Sequence, residues 1–185
     1  MTGAGYYPAS VTDVSPEVIW TVVVGGGDGL RFGAPKQYEA LGDGRVIDLA
    51  VAVARGAGDG VVVVVPAADA SREGGVAGGP TRSASVRAGL AAVPPEATIV
   101  CVHDAARPLA SEALFAATVA AVRAGADAAV PAVPVADTIK VIDAALVEGA
   151  GGRVVTVPGE PWNRKITGPD DLDWARRWLA ASVHA

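Results

Sequence analysis

Five consecutive valines, residues 61–65, run directly into Pro66. A strand with one wet face alternates apolar and polar residues, whereas an unbroken β-branched run reads as a strand buried on both faces. Residues 18–24 carry a similar run. Strands are also expected at 98–102, at 128–135 despite its prolines, and at 153–157. Helical segments fall between them. Residues 46–55 read as a helix closed by Gly56 and Gly58, and 83–92 as a second. Ser111 followed by Glu112 opens a third, which runs to Arg123 and stops at Gly125. Asp170 or Asp171, after Pro169, starts a closing helix to about residue 181. Continuous apolar strands separated by helices of this length predict an α/β fold with a largely parallel sheet covered on both faces.

The 185 residues suffice for one domain with its own core. Residues 1–17 read as a loose leader and 18–185 as the domain, with no internal repeat. A net charge of -5 argues against a general nucleic-acid binder or an anionic-membrane binder, so the basic residues that matter must be gathered locally. The single cysteine, Cys101, excludes an internal disulfide and reads as a small core residue. No apolar stretch approaches the ~20 residues of a membrane span. The first 20 residues lack the basic start and apolar core of a secretory signal, which places the expected location in the cytoplasm.

In parallel sheets, ligands bind outside the carboxyl ends of the strands. Polar clusters fall there at 25–36, 103–107 and 137–140. The first, "GGGDGLRFGAPK", does not match the dinucleotide fingerprint, because the third glycine is one residue late at Gly33. It does not match a Walker loop either, because Lys36 follows Pro35. What remains is a loop whose backbone N–H groups can surround a polyphosphate, with the two cations Arg31 and Lys36. A solvated surface turn is the alternative.

In "VCVHDAARPL", Asp104 and Arg107 share a rim. A carboxylate beside a triphosphate makes sense chiefly with a divalent cation between them; otherwise the two form a structural ion pair. His103 reads as a satisfied core histidine. "VPVADTIK" and "NRKITGPDDL" each set a Thr and a Lys beside an apolar stretch, and Lys165 is a better anion candidate than Lys140. "GGPTRSASVRAGL" sets Gly78 and Gly79 before a helix start carrying Arg82 and Ser85, where free N–H groups could read a polar ligand edge. Trp174 and Trp178, four apart on the closing helix, form an apolar stripe read as core packing.

Taken in this order, "GGGDGLRFGAPKQY", "VVVVVPAAD", "GGPTRSASVRAGL", "VHDAARP", "VPVADTIK" and "NRKITGPDDL" resemble the 2-C-methyl-D-erythritol 4-phosphate cytidylyltransferases of the non-mevalonate isoprenoid pathway, over nearly all of residues 20–180. The resemblance implies a Rossmann-like nucleotidyltransferase fold in three α/β/α layers, usually a homodimer. The implied reaction joins CTP and methylerythritol phosphate, with Mg²⁺, to give a CDP-alcohol and pyrophosphate. Gly25, Gly26, Gly27 and Gly29 would hold the triphosphate, and Arg31, Lys36 and Lys165 would be catalytic. Gly78, Gly79 and Ser85 would recognise cytosine and ribose. Ala105 would join the CTP site and Asp104 would face the metal. Arg107, Thr138 and Lys165 would surround the sugar phosphate.

The sequence departs from the family in three places. Val24-Gly25-Gly26-Gly27 stands where the family usually has Pro-Ala-Ala-Gly, and the loop is short between Arg31 and Pro35. After Lys140, "VIDAALVEGAGGRV" runs straight across a region where the family carries an arm that reaches the dimer mate. A milder shortening around Ala70 to Gly75 favours omission of flexible segments over a true deletion. A true deletion would make a CTP-binding paralogue with little transfer activity a serious reading. A cytidylyltransferase for another acceptor, such as ribitol 5-phosphate, is the third.

Overall fold

The structure, a computed structural model, describes residues 17–27, 33–134 and 145–182. In chain order these form β1 (Ile19–Val24), a 3-10 turn (Lys36–Tyr38), β2 (Ala40–Leu41), β3 (Gly44–Arg45), α1 (Val46–Gly56), β4 (Gly60–Val65) and β5 (Val76–Ala77). There follow α2 (Arg82–Ala91), β6 (Ile99–Asp104), α3 (Glu112–Arg123), β7 (Ala128–Ala132), α4 (Ala145–Gly149), β8 (Val154–Pro158) and α5 (Pro169–Ser182). Four strands make a parallel sheet in the order β5-β4-β1-β6. A separate parallel pair, β7-β8, completes the mostly parallel α/β architecture predicted from the valine runs.

β1 lies inside the sheet, and Thr21, Val22 and Val23 are fully buried. One face packs under α1 and α3, where Val23 and Val65 meet Ile47, Ala50 and Phe115. α1 presents a stripe of Val46, Ile47, Ala50, Val51 and Ala54, the helical spacing that buries one side. On the opposite face Val22, Val24, Val62 and Val64 pack with Val86 of α2. A third cluster joins Leu41 and Val46 to Ile166, Leu172 and Ala175 of the last segment, with Trp174 and Trp178 packed against it, as the stripe predicts. Side-chain caps start two helices: Thr81 accepts from the Ala84 N–H and Ser111 from the Leu114 N–H, each at 3.1 Å. α3 stops ahead of Gly125, whose φ of +96° suits glycine.

Three expectations need correction. β6 runs two residues further than predicted, so His103 and Asp104 close the strand. β7 stops at Ala132, because Pro134 has no N–H to extend a ladder toward 135. Among the described residues the sheet is also not covered throughout. Val100 and Val102 on β6 are 36% and 45% exposed, on the face that α2 covers elsewhere. Among the described residues β6 pairs only with β1, and β7 only with β8.

Candidate active site

β4 and β6 lie on opposite sides of β1, so the crossovers from β1 diverge at its carboxyl end and leave a crevice there. Both neighbours hold that end: the Gly25 N–H donates to Val64 O at 2.7 Å and the Ala105 N–H to Val24 O at 3.0 Å. Residues 25–27 emerge between them. A Cβ on Gly25 would come within 3.3 Å of Ala105 Cβ and of Ile47 Cδ1, and one on Gly26 within 3.3 Å of Ser85 Oγ. The glycines are needed for close approach and not for a left-handed backbone, since neither Gly25 nor Gly26 has positive φ.

Above them opens a cavity of about 490 Å³. Residues 25–27 form one wall; Gly79, Thr81, Arg82 and Ser85 form another. Asp104 to Ala106 and Lys165 with Thr167 face them, and Lys36 and Gln37 close the remaining side. Ser85 is 97% hidden, and its hydroxyl accepts from the Gly79 N–H at 3.1 Å. Gly78 lies behind it, its N–H on Val65 O at 2.8 Å.

Asp104 is the electrostatic pivot. One oxygen accepts from Lys165 Nζ at 2.7 Å and lies 3.5 Å from Arg82, and the other accepts from the Ala106 N–H at 3.0 Å. Burial pushes its carboxyl up, but Lys165, the Ala106 N–H and Arg82 together outweigh burial and hold it below the ordinary carboxylate range. Lys36 reaches across the cavity and donates to Ile166 O at 2.7 Å. The segment that carries Ile166 is fixed at both ends. The Ile166 N–H donates to Ala106 O at 2.8 Å, while Asp171 accepts from the Thr167 hydroxyl at 2.5 Å and from the Gly168 N–H at 3.0 Å. Lys165 therefore stands on a braced backbone.

The structure thus brings together Gly25, Gly26, Gly27, Lys36, Gly79, Ser85, Asp104, Ala105 and Lys165 of the expected site. Arg107 does not line the cavity; its guanidinium donates to Asn163 O at 2.8 Å. Gly29, Arg31, Thr138 and Lys140 lie outside the described residues. Sequence reasoning missed Gln37, whose amide lies 3.4 Å from Gly27 O, and the pairing of Arg82 with Asp104. The second had a signal. An arginine at the first position of a helix opposes the helix dipole, so it calls for an acidic partner nearby.

The chain is similar to known proteins in both sequence and fold. The family profile described as 2-C-methyl-D-erythritol 4-phosphate cytidylyltransferase matches residues 18–145. The protein of that name from Streptomyces coelicolor is 41% identical over 191 positions, covering 87% of this chain and 67% of its own. The Rhodococcus opacus protein of the same name is 36% identical, covering 88% of this chain and 96% of its own. That alignment runs over 216 positions, so the relative carries internal segments with no counterpart among these 185 residues. The bifunctional enzyme IspD/IspF of Anaeromyxobacter dehalogenans is 38% identical, and this chain spans 57% of its length. Among solved structures, the cytidylyltransferase of this name from Thermus thermophilus superposes with a TM-score of 0.73 at 26% identity, over 86% of this chain and 98% of its own. With the profile spanning most of the domain, the chain belongs to the 2-C-methyl-D-erythritol 4-phosphate cytidylyltransferase family.

Proposed function

We propose that this chain transfers the cytidylyl group of CTP to 2-C-methyl-D-erythritol 4-phosphate. The observation that carries the reading is the meeting, in one cavity at the switch point of the sheet, of a glycine backbone wall with Lys36 and with Arg82 and Lys165 paired to Asp104. An oxygen of the acceptor phosphate attacks the α-phosphorus of CTP; a new P–O bond forms, the α–β bridge breaks, and pyrophosphate leaves with that electron pair. The acceptor is already an anion, so no general base is required. The task is to bring two phosphates together and to stabilise the crowded phosphorus between them, which is work for cations, backbone donors and positioning.

In this reading the N–H groups of Gly26 and Gly27, on the turn that Gly25 anchors to β4, and Lys36 hold the triphosphate, and Lys165 serves the reacting phosphates. Ser85, with Gly78 and Gly79, supports recognition of the base and ribose, and Ala105 packs beside it. Arg31, Gly29, Thr138 and Arg107 keep the roles that the family resemblance implies. Among the described residues no group of three His, Cys, Asp or Glu side chains could cage a metal. Asp104 alone fits the way Mg²⁺ is held by one carboxylate and nucleotide phosphates, and the ion would neutralise phosphate charge there. A homodimer in the cytoplasm belongs to the same proposal; no described helix is long and apolar enough to cross a membrane. The names of the relatives favour methylerythritol phosphate over ribitol 5-phosphate as the acceptor.

The test is pyrophosphate release by the full chain with CTP, Mg²⁺ and each acceptor. Methylerythritol phosphate should support turnover, and Lys36→Ala should lower kcat by about 10²-fold, the usual cost of one oriented donor at a reacting centre. Undiminished turnover in Lys36→Ala would remove the role given to Lys36. Silence with every acceptor would remove transfer itself and leave a nucleotide-binding protein.

A further inference from the structure

Beside the cavity, and not lining it, a cluster of charged groups is built around Tyr38. The phenol donates to Asp69 at 2.8 Å, and the guanidinium carbons of Arg45 and Arg72 lie 5.5 and 5.0 Å from the ring centroid. Arg45 binds Asp48 and Glu73 through paired bonds of 2.8 to 2.9 Å. Arg72 closes the ring onto Asp69 at 3.0 Å and Glu73 at 2.9 Å. Glu73 is only 8% exposed at its side chain and Asp69 18%, so the network is ordered around two largely buried carboxylates, while Arg72 and Asp48 at its outer edge are exposed. It joins the Lys36–Tyr38 turn, the start of α1 and the chain that follows β4.

We propose that Tyr38 is a positioning residue that acts through Lys36. A three-residue 3-10 turn has too few internal bonds to fix its own place, so its side chains must do so. Three of them do: Lys36 on Ile166 O, Gln37 beside Gly27 O, and Tyr38 on Asp69. Lys36 Nζ has three N–H donors, one of them on Ile166 O, and a ligand phosphate can accept from another. When the ammonium turns toward phosphate, Tyr38 and Asp69 keep the backbone of Lys36 where it was. Burial, with the Asp69 carboxylate, pushes the phenol up to about 12, so it remains a donor throughout the neutral range. The cation pair over the ring restricts its tilt.

This inference rests on Lys36 contacting the triphosphate, and a double-mutant cycle tests it. Tyr38→Phe keeps the ring and removes only the bond to Asp69, and Asp69→Asn weakens the same bond from the other side. The cycle is read on kcat for pyrophosphate release and, independently, on CTP affinity by calorimetry. Each single variant should lower kcat about tenfold and weaken CTP several-fold, with the unfolding midpoint within a few degrees of wild type. In the Lys36→Ala background, Tyr38→Phe should change either quantity less than twofold. Equal effects with and without Lys36 would overturn the proposal, as would two single variants that match wild type in both readouts. If wild type releases no pyrophosphate, the transfer reading falls, and the cycle on CTP affinity still decides the role of Tyr38.

Discussion

Successive side chains on β6 face opposite ways, so His103 is driven toward α3 while Asp104 ends at the cavity. His103 is 8% exposed and meets the Phe115 ring edge-on at 5.2 Å, and its Nε2 has no protein partner. It is a core residue, as the sequence predicts, but not the fully satisfied one expected, because Nε2 is buried without a partner. Burial pushes its imidazole down to about 4, so the unfolded chain takes up a proton near pH 6.5 that the native chain refuses until about pH 4. The stability it preserves is full above pH 6.5 and is lost as the pH falls toward 4, by about 3 kcal/mol. His103→Phe should flatten this loss, seen as a urea midpoint that changes less than wild type between pH 7 and 4.5; parallel curves would refute the assignment. Asp104 was legible because it stands at the end of a strand, whereas Lys36 and Lys165 were singled out by the stretches around them and by the family resemblance. Gln37 was not: nothing local shows that an amide will be buried beside Gly27 O. The placement of Arg107 was also hidden, since its partner carbonyl is 56 residues away.

At the scale of elements, α2 connects core packing to the site. Gly89 lets the helix lie on β1 and β4; a Cβ there would drive into Val22 Cγ1 and come within 2.8 Å of Val64 Cγ2. Gly89→Ala should therefore destabilise by about 1–3 kcal/mol through overpacking, against at most about 1 kcal/mol gained in helix propensity. Because the same helix carries Ser85 under Gly26, CTP affinity should fall with it. Chemical denaturation and calorimetry on one preparation check both effects. Long elements such as α1 and β4 were readable from their apolar periods. The hairpin of β2 and β3 was not, since two residues carry no period and its pairing depends on the turn at Gly42, with φ of +59°. β5 is likewise set by β4 beside it rather than by its own two residues.

At the scale of the molecule, the parallel order was legible, but the division between the four-stranded sheet and the β7-β8 pair was not, because pairing partners far apart in sequence leave no mark in either strand. Charge is divided as unevenly as the strands. The protein carries a net charge of -5, yet the charged side chains among the described residues lining the cavity are Lys36, Arg82 and Lys165 against Asp104 alone. A polyanion is thus repelled at long range by most of the surface and attracted only near one mouth. Added salt screens both fields, over about 10 Å at 0.1 M and about 3 Å at 1 M. The far repulsion should be screened first and the near attraction later. Stopped-flow association of CTP should then quicken as salt is first added and slow several-fold toward 1 M, whereas a rate that rises throughout would show that the acidic surface governs capture.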